Sequence, residues 1–336
     1  MSRALITSGP IDPTVNLPAV DMSTSLGYFE TPAPVFTASG CAAAGKELDQ
    51  FFDITQLGGI VTKSVMMNAR SGRATPRMTE TPSGMLNSIG LQGPGIDSFI
   101  ENDLAWLRQR GARTVVSIAG GSVEEYGKLA AKLRTVDGIS AIEVNISCPN
   151  VEDRGQVFAC DPNSSAQVIQ AVRRNSDTKI PIIAKLSPDV TSIVSIAQAV
   201  ERAGADAVAV INTTLGLVIN LETMRPALGG ITGGLSGPAI RPMAVRCVWQ
   251  IHQALPQLPI LGMGGIRNGE DALQFILAGA SAVSVGTVTF HDPSAPIRVQ
   301  QELEIALAQR GFATLREAIG FAHRGPDVAV IEEEQE

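Results

Sequence analysis

The feature that most limits the fold of this 336-residue chain is a series of short apolar runs separated by amphipathic segments. Many of these runs are rich in β-branched residues, which is typical of strands buried on both faces of a parallel sheet. The predicted strands are Val35–Ala38, Gly59–Thr62, Thr114–Ile118, Ala141–Ile146, Ile180–Leu186, Ala207–Ile211, Pro259–Met263 and Ala282–Val285. The predicted helices between them are Ser98–Arg110, Val123–Leu133, Ser164–Arg174, Ile193–Ala203, Pro238–Leu255 and Gly269–Ala278.

Eight strands that alternate with helices predict an α/β fold of the closed (β/α)8 barrel type, also called a TIM barrel. The chain is longer than the roughly 250 residues typical of that fold, which leaves room for insertions. Two polar segments, Met66–Ile96 and Thr213–Gly237, follow the second and sixth predicted strands. They are therefore predicted as insertions at the C-terminal face, where such barrels keep their active sites. A doubly wound open sheet is the alternative fold.

Composition and charge limit the kinds of partner. The formal net charge is -7 and no basic cluster occurs, which argues against binding to nucleic acid. No apolar run approaches the roughly 18 residues needed to cross a bilayer, and no signal peptide is evident. A disulfide framework is not expected, which fits a reducing cytosol, and a cytoplasmic location is predicted. The four cysteines form no CxxC pair and the three histidines are scattered, so no metal site is predicted.

The chain is predicted to hold one large domain, the barrel, at residues 26–325. The preceding residues 1–25 lack clear periodicity and are interpreted as an N-terminal arm. Residues 326–336 end in a run of acidic side chains and are interpreted as a solvated tail.

Glycines follow the last two predicted strands. Gly264 and Gly265 come after the seventh strand, and Gly286 with Thr287 comes after the eighth. Glycine lets backbone N–H groups approach a ligand closely, and turns after strands seven and eight form the common phosphate site of these barrels. Either pair taken alone could be only a tight turn. Together they favour a phosphate site.

Lysines and asparagines recur at the same level of the predicted barrel. Lys63 and Lys185 end apolar runs, where a lysine is costly to bury without an anion, although such side chains also extend to the rim. A lysine beside the N1–C2 edge of a flavin would stabilise the charge that develops on reduction.

Asparagines on separate segments suit a planar ligand with alternating C=O and N–H groups, such as a pyrimidine, although single ones are often turn residues. They are Asn87, Asn145, Asn150 and Asn212.

Cys148 is the candidate catalytic base. It lies in the stretch Val144–Asn150, just beyond a predicted strand, and Pro149 disfavours a helix there. No histidine lies at a predicted strand end, Glu143 lies inside a strand, and Asp189 follows a proline. A thiolate with hydrogen-bonding neighbours can remove a proton. The alternative is a buried structural cysteine.

These stretches together resemble the dihydroorotate dehydrogenases of class 1, which are cytosolic flavoproteins. The resemblance rests mainly on Val144–Asn150, Ile211–Thr214, Thr232–Ala239 and Gly262–Ile266. Within the class the chain is most similar to the B type, the catalytic subunit of an NAD-linked enzyme, because of Gln156–Pro162 and Gly234–Arg241. Three positions depart from the family pattern, which often has Asn at Gly93 and Ser117 and Leu at Thr214.

The resemblance implies an FMN-containing barrel that oxidises dihydroorotate to orotate in pyrimidine biosynthesis. Cys148 would remove the C5 proton while hydride passes from C6 to the flavin. The implied substrate residues are Lys63, Asn87, Ser88, Ile89, Gly90, Leu91, Asn145, Asn150, Asn212 and Thr213. The implied FMN residues are Ser39, Lys63, Ser64, Asn145, Lys185, Ile211, Gly237, Gly264, Gly265, Gly286 and Thr287.

The resemblance also implies partners. Class 1 enzymes suggest a homodimer, and the B type works with a second subunit that carries FAD and a [2Fe–2S] cluster and passes electrons to NAD. Three other functions stay open. They are a dihydropyrimidine dehydrogenase-like reductase of uracil or thymine, a non-catalytic FMN-binding subunit, and a flavin-free barrel that binds a phosphorylated metabolite. Lys63 favours a substrate with a carboxylate, which uracil lacks.

Overall fold

Eight parallel strands form the centre of the molecule in the computed structural model, which describes residues 17–146 and 161–325. In chain order they are β1 (Val35–Thr37), β2 (Ile60–Val61), β3 (Thr114–Ile118), β4 (Ala141–Asn145), β5 (Ile182–Leu186), β6 (Ala207–Val210), β7 (Ile260–Met263) and β8 (Ala282–Val285). Each strand from β2 to β8 pairs with its neighbour in sequence, and β8 pairs with β1. A parallel bridge between Phe36 and Gly59 closes the ring. The predicted (β/α)8 barrel is therefore confirmed, and the open doubly wound sheet is excluded.

Helices cover the outside of the barrel close to their predicted positions. The first begins at Ile96–Ser98 and continues as a π-helix, Phe99–Leu104, and an α-helix, Ala105–Arg110. The others in the predicted set are Val123–Leu133, Pro162–Asn175, Ile193–Arg202, Arg241–Ala254 and Gly269–Leu277. The prediction lacks two helices beyond β8, Ala295–Gln309 and Leu315–Ala318. Proline in the first turn of Ala295–Gln309 is compatible with a helix, because the first N–H groups have no partner inside it.

The barrel interior is apolar near the starts of the strands. Leu26, Phe29, Phe36 and Leu261 belong to one buried cluster, which is separate from the larger cluster between strands and helices. Leu26 and Phe29 come from an antiparallel hairpin, Thr24–Leu26 with Phe29–Thr31. This hairpin places two apolar side chains in the interior cluster, and it begins inside the predicted arm. The division into arm, barrel and acidic tail stays a prediction, and residues 326–336 lie outside the described residues.

The interior becomes polar toward the C-terminal ends of the strands. Side chains alternate between the two faces of a strand, so Ser117, Glu143 and Lys185 share the inner face with Val115, Ala141 and Ile183. All three polar residues are buried. A polar layer thus lies above an apolar one.

The two predicted insertions pair with each other at this polar end. Strands Met78–Thr81 and Gly84–Asn87 come from the first insertion, and Thr214–Gly216 and Gly233–Ser236 from the second. They form one four-stranded antiparallel sheet in which Asn87 lies opposite Gly234. A further pair, Ile219–Asn220 with Arg225–Pro226, extends from the second insertion. No helix in the described part of the chain is long and apolar enough to cross a membrane.

Candidate active site

A cavity of about 1140 Å³ lies at the C-terminal ends of the strands, beneath the antiparallel sheet of the insertions. It brings together predicted site residues from both halves of the chain. Those that line it are Ser39, Lys63, Ser64, Asn87, Ile89, Gly90, Leu91, Asn145, Lys185, Ile211, Asn212, Thr213, Gly237, Gly264, Gly265, Gly286 and Thr287. Ser88 does not line the cavity, because it is buried beside Arg73, whose guanidinium donates to its hydroxyl over 3.2 Å. Cys148 and Asn150 lie outside the described residues.

A chain of hydrogen bonds runs from the cavity into the barrel. The amide of Asn212 donates to Asn145 Oδ1 over 3.4 Å, and the amide of Asn145 donates to Ser64 Oγ over 2.9 Å. The Ser117 hydroxyl donates its proton to Glu143 Oε1 over 2.8 Å. In the 2.9 Å contact between the two serine hydroxyls, Ser64 must therefore donate to Ser117. Every donor in this chain points toward the buried carboxylate, which fixes the orientation of both asparagine side chains.

The carboxylate at the end of this chain lies beside a buried lysine. Lys185 Nζ is 3.9 Å from Glu143 Oε1, and the two side chains are 5% and 0% exposed. Glu143 Oε2 has no hydrogen-bond partner. Since isolated buried charges are unfavourable, the two opposite charges compensate each other.

Cys41 also lines the cavity, although the sequence analysis did not select it. Burial raises the pKa of its thiol to about 11, despite the opposing effect of the positive charges of Lys185 and Lys63. The thiol is therefore protonated at neutral pH and unsuited to act as a base. The signal that could have identified its position is the spacing, since Cys41 follows β1 by four residues, at the same end of the barrel as Lys63.

Glycines shape the opposite side of the cavity. Gly264 and Gly265 have φ angles of +135° and +76°, values that disfavour any side chain. A Cβ atom at Gly264 would lie 2.8 Å from Ala244 Cβ, and one at Gly265 would lie 2.7 Å from the carbonyl oxygen of Gly237. The backbone here needs glycine.

Two short 3-10 helices begin at this glycine-rich side, Pro238–Ile240 after Gly237 and Thr287–Phe290 after Gly286. Neither has a capping side chain. Pro238 lacks an N–H, and those of Ala239 and Ile240 already donate to the carbonyls of Ser83 and Gly237, so this helix start offers no donor to a ligand. The start of Thr287–Phe290 is the one where backbone N–H groups are suited to an anion such as phosphate. This side of the cavity is thus a candidate phosphate site.

Sequence reasoning missed several residues that border the cavity or stand behind it. Ser117 was noted only as a departure from the family pattern, and Glu143 was set aside as a residue inside a strand. The period-2 alternation of β4, which puts Glu143 on the same face as Asn145, is the signal that could have placed it. Others are contributed by the insertions or follow β8, and are Met78, Thr79, Glu80, Met85, Ser236, Phe290 and His291.

Comparison with known proteins matches residues 22–307 to the family model described as "Dihydroorotate dehydrogenase". Three similar relatives are each named "Dihydroorotate dehydrogenase B (NAD(+)), catalytic subunit". The relative from Desulforamulus reducens is 47% identical over 304 residues, 90% of this chain and 99% of its own length. That from Desulforudis audaxviator is 49% identical over 291 residues, covering 87% and 94%. That from Geotalea daltonii is 48% identical over 300 residues, covering 89% and 97%.

Proposed function

Because this chain belongs to the dihydroorotate dehydrogenase family, we propose that it oxidises (S)-dihydroorotate to orotate in pyrimidine biosynthesis, with FMN as cofactor and Cys148 as base. The predicted family and the predicted resemblance to the B type are confirmed by the comparisons. The observation that carries the proposal is that one cavity joins a glycine-rich candidate anion site to a group of lysine and asparagine side chains.

The residues present fit FMN. The cavity is large enough for a flavin with its phosphate, and glycines line one side of it, where a Cβ atom would collide with packed neighbouring groups. Gly237, Gly264, Gly265, Gly286 and Thr287 would hold the phosphate, and Ser39, Ser64, Asn145, Lys185 and Ile211 the remainder. Lys185 is the one we assign to the N1–C2 edge of the flavin. Bound FMN would supply the acceptor for the hydride that leaves C6 of the substrate.

The other predicted residues would hold the substrate. Lys63 provides a positive charge for the substrate carboxylate, and Asn87, Asn145 and Asn212 provide amide donors and acceptors for the pyrimidine ring. Ser88 to Leu91, Asn150 and Thr213 complete the predicted set. Since the hydrogen-bond chain orients the amides of Asn145 and Asn212, the substrate would meet fixed partners rather than free rotors.

The oxidation of dihydroorotate requires a base that removes a proton. Dihydroorotate loses a proton from C5 and a hydride from C6, and the electron pair of the C5–H bond forms the C5–C6 double bond of orotate. We assign the proton to the Cys148 sulfur. The pKa of Cys41, raised by burial to about 11, supports this choice because it leaves that cavity-lining thiol protonated and unsuited to act as the base.

A separate subunit would carry electrons from this chain to NAD. The relatives are named catalytic subunits of an NAD enzyme, and this chain has no dinucleotide-binding fingerprint. Within residues 17–146 and 161–325, no group of three His, Cys, Asp or Glu side chains could hold a metal ion. We propose that the partner subunit carries the FAD and the [2Fe–2S] cluster and that the pair is cytoplasmic, as the family resemblance implies.

A homodimer is the second proposed assembly. Six large apolar side chains are exposed within residues 215–231: Leu215, Leu217, Ile219, Leu221, Met224 and Ile231. An exposed apolar surface of this kind is typical of a protein interface. Glu222 and Arg225 are exposed in the same segment, so opposite charges could pair across a two-fold axis.

The test of this function is the cofactor and acceptor profile of the purified chain. We expect flavin absorbance, about one FMN released per chain on denaturation, and dihydroorotate-dependent reduction of an artificial acceptor that is much faster than reduction of NAD. A colourless protein that cannot be loaded with FMN would contradict the cofactor. Efficient NAD reduction by the single chain would contradict the need for a second subunit, and preference for uracil over orotate would favour the dihydropyrimidine dehydrogenase alternative.

A further inference from the structure

We propose that Glu143 is a positioning residue that holds the Lys185 ammonium in place and partly offsets its charge, and so sets the reduction potential of the bound flavin. The inference rests on the proposed function, because it takes Lys185 as the residue at the flavin. It assigns a role to a carboxylate that touches neither substrate nor cofactor in the proposed mechanism.

The geometry of β4 and β5 brings the two residues together. Asn145 lies opposite Lys185 in the parallel register, and Glu143 lies opposite Ile183, one inward-facing position earlier on its strand. Lys185 Nζ, 3.9 Å from Glu143 Oε1, lines the cavity, whereas Glu143 lies below it and is fully buried. The Glu143 carboxylate therefore influences a ligand in the cavity through neighbouring side chains and does not contact the ligand directly.

A carboxylate at this position is costly for stability. Glu143 accepts one hydrogen bond, from Ser117, while its second oxygen has no partner. Replacing buried ion pairs by well-packed apolar groups is often neutral or stabilising. The surrounding interior offers such groups, since Val115 and Ala141 lie on the same inner faces of the adjacent strands. Packing and stability thus do not explain why a glutamate occupies position 143. We infer that its negative charge serves the cavity.

The negative charge acts on the cavity through Lys185. Lys63 is a further positive side chain at the cavity, and both lysines act on the Cys41 thiol, which is protonated at neutral pH. Without Glu143 the Lys185 ammonium would act on the flavin without the offset of the neighbouring carboxylate. Reduction adds negative charge to a flavin, so loss of the carboxylate favours the reduced form over the oxidised form.

The variant Glu143→Gln removes the charge and keeps the side-chain shape and the acceptor for Ser117. We expect the ratio of the dissociation constants for oxidised and reduced FMN to rise about tenfold, which is a rise of about 30 mV for a two-electron couple. The measurement is equilibrium dye titration of the flavin potential in purified holoenzyme. Asp206→Asn is the matched control, since it makes the same charge change at a carboxylate that pairs with Arg173 just before β6 and does not line the cavity. It should leave the potential unchanged.

A second variant tests the route through Lys185. In a Lys185→Met background, the Glu143→Gln substitution should change the ratio of the dissociation constants for oxidised and reduced FMN by less than threefold. If Glu143→Gln does not fold, Glu143→Leu replaces it with the same expected direction. An unchanged or lower potential, or an equal shift without Lys185, would overturn the inference. These outcomes are distinct from failure of the proposed function, in which the wild-type chain would bind no FMN or leave dihydroorotate unoxidised.

Discussion

Two cysteines are relevant to catalysis at the scale of single residues. Cys41 lines the cavity, where burial raises the pKa of its thiol to about 11. Cys148 follows β4 by three residues and lies outside the described residues. If Cys148 is the base, its substitution should slow proton removal, whereas substitution of Cys41 should not.

We predict that Cys148→Ser slows dihydroorotate oxidation by about 10²–10⁴-fold, the usual contribution of a positioned base. FMN content should stay the same. Stopped-flow measurement of flavin reduction by dihydroorotate checks this. Cys41→Ser is the matched control and should retain a rate within about threefold of wild type. Equal losses in the two variants, or wild-type rates in Cys148→Ser, would refute the assignment of the base.

The sequence predicted the cavity residues well where they end parallel strands. Lys63, Asn145, Lys185 and Asn212 were placed together because the carboxyl ends of such strands meet at one face of a barrel. Ser88 was predicted only because its neighbours in the sequence were; it follows the strand Gly84–Asn87 and is buried beside Arg73 instead of lining the cavity. Glu143 was missed because a charge inside an apolar run has no meaning until the inner and outer faces of the strand are known.

At the scale of elements, the turns after β7 and β8 give the barrel its candidate phosphate site. The φ angle of Gly264 is +135°, and a Cβ atom there would lie 2.8 Å from Ala244 Cβ. A side chain at position 264 would therefore force the turn to shift. The shift would also move the nearby backbone N–H groups, which are the candidate donors to the phosphate.

Gly264→Ala should therefore weaken FMN binding by at least about tenfold. Gly311→Ala is the matched control, because Gly311 also has a positive φ, +76°, but has open space around it and does not line the cavity. The control should lose about 1–2 kcal/mol of unfolding free energy and keep its FMN affinity. Fluorescence titration of apoprotein with FMN distinguishes the two variants. Equal FMN affinities would argue against a phosphate site at this turn.

Local patterns predicted the barrel elements but not how the insertions pair. Strands β3 and β8 were predicted at both bounds, because each is a short run of mainly apolar residues rich in valine. The antiparallel sheet joins residues 78–87 to residues 214–236, and no local periodicity specifies a partner so distant in the chain. Its strands are also half exposed, which weakens the apolar signal.

At the scale of the whole molecule, residues 215–231 carry a group of exposed apolar side chains that the described part of the chain does not cover. Leu221 and Met224 are 87% and 79% exposed. A surface with these side chains would be covered by a second copy in the proposed homodimer. Their exposure depends on tertiary placement, so sequence alone indicated the dimer only through the family resemblance.

We predict that Leu221→Asp converts the dimer to a monomer at micromolar concentration, because it would place charges in an apolar interface. Sedimentation equilibrium measures the change. Phe51→Asp is the control, since Phe51 is 59% exposed on another part of the chain. Dimerisation that survives Leu221→Asp unchanged, or a wild-type monomer, would contradict this interface.

The central claim is that this chain oxidises dihydroorotate at an FMN held in the cavity of the barrel. The most direct measurement is an anaerobic titration of the purified FMN-loaded chain with dihydroorotate, followed by flavin absorbance and by analysis of the product. We predict stoichiometric loss of the oxidised flavin absorbance, one orotate formed per FMN reduced, and no reduction by dihydrouracil. Flavin that stays oxidised in excess dihydroorotate, or that is reduced equally well by dihydrouracil, would contradict the claim.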